Sequence, residues 1–121
     1  MAAQIFFSRY AGDDSKIKWP NDLYWQDRKA GGILIESVVN SRESGDSSWE
    51  WAIIGIGINI NQTSFPPDLP NPVSMKQITG KTFDPVLLAK ELHSIFLQQF
   101  DELATRGFSA IYENYLANLY K

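Results

Sequence analysis

The 121-residue chain is predicted to fold as an α+β domain, a mixed or antiparallel sheet with helices packed on it. Three observations point there. Two long β-branched runs, residues 32–40 and 49–61, flank a polar loop. A stretch crowded with Pro66, Pro67, Pro70 and Pro72 follows them. Beyond it, apolar residues recur only at helical spacing.

Residues 2–10 read as the last turns of a helix, with Ile5, Phe6 and Tyr10 on one stripe and Gly12 as its stop. So short a helix is marginal alone, so it reads as the tail of something longer. Lys16 to Trp19 is expected as a short strand, ended by Pro20 because proline cannot donate to a ladder. Leu23 to Trp25 opens the next strand, and Gln26 to Lys29 is expected as a polar turn. The runs 32–40 and 49–61 should then pair as an antiparallel hairpin across the loop 40–48. Residues 62–72 must be irregular, since prolines remove donors and fix φ.

Ser74 with Gln77 fits a capping box for a short helix. Asp84-Pro85 fits an N-cap followed by proline at the first helical position. From there Leu88, Leu92, Ile95, Phe96, Phe100 and Leu103 share one face, and Gly107 closes the helix. Ser109 to Lys121 is expected as a further helix with Ile111, Tyr115, Leu116 and Leu119 inward. One domain is expected over 1–121, without repeats or linkers.

Composition narrows the function classes. Hydrophobic residues make up 44% and aromatics 13%, enough for a core. The net charge of −3 argues against a nucleic-acid partner. With no cysteine and a single histidine, His93, thiolate and multi-histidine metal sites are excluded. The N-terminus lacks a signal-peptide pattern and no apolar run approaches a membrane span, so a cytoplasmic location is expected.

Three groups of residues could carry chemistry. Lys29 precedes Gly31-Gly32, where bare backbone lets a ligand approach. Its ammonium could neutralise charge when a carboxylate attacks a phosphate, or it could be a solvated hairpin lysine. Asn21-Asp22 could offer oxygens to magnesium, or simply stabilise a turn. Gly55 and Gly57 alternate within a strand, which either admits a ligand or accommodates a bulge or a packed helix. They are no dinucleotide fingerprint, because the third glycine and the following helix are missing. Trp49 and Trp51 alternate and are read as sheet packing.

Taken in order, Lys18-Trp19-Pro20-Asn21-Asp22, Lys29-Ala30-Gly31-Gly32-Ile33-Leu34-Ile35-Glu36 and Gly55-Ile56-Gly57-Ile58-Asn59 resemble the biotin protein ligase family. The Lys-Trp-Pro-Asn-Asp block is specific to that family, whereas lysine-x-x-Gly-Ile-Leu is shared more loosely with lipoate ligases. The resemblance implies part of a class II aminoacyl-tRNA synthetase/biotin ligase-like catalytic fold. It also implies a two-step reaction: ATP and biotin give biotinyl-AMP and pyrophosphate, then a lysine of a biotin carboxyl carrier domain takes the biotin as an amide.

Carried over by position, Lys29 is the essential lysine. Asn21 and Asp22 serve the phosphate and Mg2+, and Lys18 adds positive charge. Gly32, Ile33 and Leu34 line the biotin pocket. Ile56, Ile58 and Asn59 border the adenine and ribose, with Gly55 and Gly57 allowing close approach. The family's Gly/Arg-rich loop, small C-terminal domain and helix-turn-helix have no counterpart in these residues. The chain therefore resembles the C-terminal part of a ligase catalytic domain. Three readings stand: a ligase piece carrying the catalytic lysine; a non-catalytic remnant that forms a homodimer over an uncovered sheet edge; and a lipoate ligase relative, against which Lys18-Trp19-Pro20-Asn21-Asp22 speaks.

Overall fold

The computed structural model describes residues 1–41, 43–45 and 47–121, without the side chains of Ser41 and residues 47–49. Helix α1 (Ala2–Ala11) leads through a 3-10 turn (Gly12–Asp14) into a four-stranded antiparallel meander. Its strands are β1 (Ser15–Lys18), β2 (Asp22–Trp25), β3 (Arg28–Ser41) and β4 (Ser47–Ile58), in that spatial order. Three helices follow: α2 (Met75–Thr79), α3 (Pro85–Arg106) and α4 (Phe108–Ala117). The expected α+β class is the observed one. Among the described residues no helix is long and apolar enough to cross a membrane.

The core lies between one face of the sheet and the helices. Phe6, Phe7, Leu23, Ala30, Val73, Met75, Leu88 and Ile95 form its buried cluster. Phe7, absent from the expected stripe of α1, is fully buried, while Ile5 is only partly so. On β2, Leu23 turns inward to this cluster, so Asp22 and Tyr24 turn outward by strand alternation.

The long hairpin forms as expected, but its limits differ. Arg28 and Lys29 belong to β3 rather than to the turn, because Tyr24 and Trp25 pair with them and leave only Gln26-Asp27 to reverse the chain. β4 stops at Ile58: Asn59 N–H still donates to Ala30 O of β3, but the Asn59 carbonyl accepts from Met75 N–H. The shared face expected for Trp49 and Trp51 falls outside the described side chains.

Both helix starts carry the expected caps. Ser74 and Gln77 exchange the reciprocal bonds of a capping box, and Asp84 Oδ1 accepts from Val86 N–H at 2.9 Å. The predicted inward face of α3 is only half realised. Leu88 and Ile95 are buried, whereas Phe100 and Leu103 are exposed. α4 ends at Ala117 and Leu116 is exposed. The last residues run beside β1 instead: Ile17 N–H donates to Asn118 O at 2.8 Å and Tyr120 N–H to Ile17 O at 2.8 Å. One sheet edge is thus partly paired. The outer edge of β4 has no strand neighbour among the described residues.

Candidate functional site

Register alone builds a row across the sheet. Lys18 pairs with Asp22, Asp22 with Gly32, and Gly32 with Gly57. Directly opposed residues share a face, so all four look away from the helices. Leu34 and Gly55, the next opposed pair two residues on, share that face.

Simple alternation would put Lys29, three residues before Gly32, on the other face. A β-bulge prevents this. Leu23 pairs with Gly31 and Tyr24 with Lys29, leaving Ala30 as the extra, fully buried residue. Lys29 is thereby carried onto the face of Asp22 and Gly32. Its Nζ lies 3.2 Å from Asp22 Oδ1. A Cβ built on Gly32 would stand 3.4 Å from that carboxylate oxygen and 3.9 Å from Lys29 Cε. The glycine leaves a floor beneath an ion pair.

Two clefts meet at that floor. One, about 520 Å³, runs from Asp22 and Lys29 over Gly32 toward Leu34 and Gly55. The other, about 570 Å³, runs from Lys29 over Gly57 toward Asn59 and is walled by Gln62, Leu69, Pro70 and Pro72. Lys29, Gly32 and Gly57 belong to both. A cation at the joint of two clefts can draw two anionic groups together.

The other glycines act differently. A Cβ on Gly31 would fall 2.3 Å from Gly57 O, so Gly31 allows β3 and β4 to pair, and its backbone lines the second cleft. Ile33 and Ile56 line the first cleft and Ile58 the second. Their side chains alternate to the helix side, where Ile56 and Ile58 border Phe6, Leu88 and Leu92. What they offer the clefts is backbone. The side-chain amide of Asn59 donates to Val73 O at 3.2 Å, tying β4 to the chain that enters α2.

Two expected site residues stand outside both clefts. Lys18 is exposed and leans on Tyr24, with Nζ 3.3 Å from the phenol oxygen and 4.9 Å from the ring centre. Asn21 is exposed in the turn before β2, its carbonyl accepting from Ile33 N–H at 2.9 Å. Sequence reading missed the wall made by Gln62, Leu69, Pro70 and Pro72. The proline cluster was its only signal, and that marks irregular backbone without saying where it returns.

Among the described residues no three histidine, cysteine, aspartate or glutamate side chains gather as a metal cluster. Asp22 is the single carboxylate of the joint. That donor set fits Mg2+ held mainly by phosphate oxygens and water, with one protein carboxylate.

Comparison with known proteins points to one family of relatives. Residues 7–59 match the model of the biotin/lipoate A/B protein ligase family. The bifunctional ligase/repressor BirA of Bacillus spizizenii is 34% identical over 104 residues, covering 84% of this chain and 30% of that protein. The biotin–[acetyl-CoA-carboxylase] ligase of Paracoccus denitrificans is 34% identical over 106 residues, covering 84% of this chain and 42% of that protein. The biotin protein ligase of Aquifex aeolicus, solved in complex with biotin and ATP, superposes with a TM-score of 0.77 at 23% identity. That match covers 98% of this chain and 47% of the other. The chain therefore spans less than half the length of these relatives.

Proposed function

We propose, from the likeness of this chain to part of a biotin protein ligase, that it carries the biotin-activating portion of such an enzyme. The carrying observation is Lys29 held 3.2 Å from Asp22 over the open backbone of Gly32, where two clefts join. Biotin would lie in the cleft toward Leu34 and Gly55, its carboxylate at Lys29. ATP would lie in the cleft toward Asn59 and the proline wall, its α-phosphate at the same ammonium.

In the first step a biotin carboxylate oxygen bonds to the α-phosphorus and the bond to the β-phosphate breaks. Biotinyl-AMP forms and pyrophosphate leaves. Charge grows on the phosphoryl oxygens in that step, and a cation fixed in advance lowers its barrier. Lys29 is that cation. It also offsets the repulsion between the carboxylate and the phosphate. Asp22 orients the ammonium and would hold Mg2+, which neutralises phosphate charge when bound. Asn21 and Lys18 would assist at the rim of the triphosphate.

In the second step the amine of a lysine on a biotin carboxyl carrier domain attacks the acyl carbon. AMP leaves as the amide forms, and the ammonium of Lys29 stabilises the departing phosphate. The backbone of Gly55 and Gly57 lets both substrates lie close to the sheet.

The test is direct. The chain is mixed with biotin, Mg-ATP and a biotin carboxyl carrier domain, and the acceptor is followed by intact mass. A gain of one biotinyl group supports the reading. No gain from a chain that is folded by circular dichroism favours the non-catalytic alternative.

A further inference from the structure

Lys29 is held from two sides. On one it pairs with Tyr24 of β2. On the other, β4 has already ended, and the segment 71–73 takes its place. Lys29 N–H donates to Asn71 O at 3.1 Å, and Val73 N–H donates to Lys29 O at 2.9 Å. The Ala30 bulge marks the point where β3 changes partner from β4 to this strap.

The strap has an inner and an outer anchor. Inside, Val73 and Met75 are fully buried. Outside, Asn71 is exposed and stands at φ +45°, a left-handed conformation that asparagine tolerates better than most residues. Its side-chain amide donates to Asp27 O at 3.2 Å, and Arg28 donates to Pro72 O at 2.6 Å. Asn71 touches neither cleft, yet it fixes the peptide that hydrogen-bonds Lys29 and the approach to the proline wall.

We propose that Asn71 is a positioning residue. Its left-handed backbone and its bond to Asp27 hold the strap in register with Lys29, and so set the ammonium at the joint of the two clefts. The proposal rests on the ligase reading for the use made of Lys29, though not for the strap itself. A rigid strap limits the movement of the lysine backbone while ligands enter, which preserves preorganised electrostatics.

Two variants separate the components. Asn71→Gly keeps the left-handed backbone and loses the side-chain bond, whereas Asn71→Ala loses both. Amide hydrogen exchange and Mg-ATP titration, followed by NMR on the intact chain, read the outcome. Asn71→Ala should speed exchange at Lys29 and Val73 by roughly tenfold while Phe6 and Ile95 stay protected. Its affinity for Mg-ATP should fall, and Asn71→Gly should lie between it and the wild type. Unchanged exchange at Lys29 and Val73 would overturn the proposal. So would equal acceleration at every amide, because Asn71 would then be a general stability residue. A wild-type chain that shows no response to Mg-ATP counts against the ligase reading, and the exchange comparison then decides the strap alone.

Discussion

Lys29 and Asp22 come from different strands, and their charged groups meet at 3.2 Å on the side of the sheet away from the helices. The contact depends on backbone geometry more than on the ion pair. Asp22 is opposite Gly32, Lys29 is opposite Tyr24, and the Ala30 bulge reconciles the two registers. Both side chains are more than a third exposed, so their pairing contributes at most about 1 kcal/mol to stability. Its importance is in aiming a cation.

Replacing Lys29 by alanine should therefore separate function from folding. The melting temperature of Lys29→Ala should stay within a few degrees of wild type, since an exposed pair is lost and nothing buried is orphaned. Transfer of biotin to the carrier domain should fall by about a hundredfold or more, the usual loss when a charge-stabilising group is removed. Intact-mass time courses and thermal melts check both statements. Wild-type-like transfer would remove Lys29 from the proposed role.

The adjacent glycines should respond in opposite ways. Gly31→Ala places a methyl 2.3 Å from Gly57 O, a clash with backbone that only a shift of the hairpin relieves. It should cost about 1–3 kcal/mol and lower the melting temperature clearly. Gly32→Ala meets only side-chain and backbone atoms at 3.4 Å or more, so the fold should tolerate it. The methyl nevertheless enters the joint of the clefts, and Mg-ATP and biotin should bind more weakly. Equal melting temperatures for the two variants would refute the assignment of Gly31 to pairing and Gly32 to the floor.

How the sequence encodes this site differs from residue to residue. The caps at Ser74 and Asp84 were legible because a cap is a local bond between near neighbours. The hairpin was legible because β-branched runs and a polar loop specify it. The facing of Lys29 was not. Alternation counted from Gly32 gives the wrong side, and a bulge leaves no local signature when its extra residue is an alanine. The wall at Leu69 and Pro70 was equally hidden, since its place depends on the long-range pairing of Lys29 with Asn71 and Val73. Lys18 illustrates the converse: its motif marks it, yet its side chain rests on Tyr24.

The C-terminal tail should be sensitive to pH at both extremes. Tyr120 donates to Asp27 Oδ1 at 2.6 Å. That bond, aided by Lys121, holds the Asp27 carboxyl below its ordinary range, and the same bond raises the Tyr120 phenol above its own. A depressed carboxylate contributes stability above its unfolded pKa and loses it as pH falls through the folded one, so the acid limb lies below about pH 4. A raised phenol keeps its contribution below its unfolded pKa and loses it on ionising, so the alkaline limb lies above about pH 10. The protection factor of the Tyr120 amide, which bonds Ile17 O, taken against the intrinsic exchange rate at each pH, should fall in both windows and stay level between them. Asp27→Asn should flatten the acid limb. A profile that is level below pH 4 in the wild type would rule the latch out.

Helix α3 offers a test of where packing ends. Ile95 and Phe100 both belong to its apolar stripe, but Ile95 is 2% exposed and Phe100 60% exposed. Removing the Ile95 side chain leaves a cavity in the core cluster where α3 packs on α1, so Ile95→Ala should cost about 2–5 kcal/mol. Phe100→Ala deletes a larger group, yet water already reaches most of it, and its cost should stay near 0.5 kcal/mol or less, about the size of a surface substitution. Urea unfolding of the two variants gives the comparison directly. The midpoint should shift strongly for Ile95→Ala and hardly for Phe100→Ala, with similar slopes. A large loss at Phe100 would mean that this end of α3 is covered in solution by a partner the isolated chain does not display, and a second measurement at tenfold lower protein concentration would expose it, because stability gained from association falls on dilution.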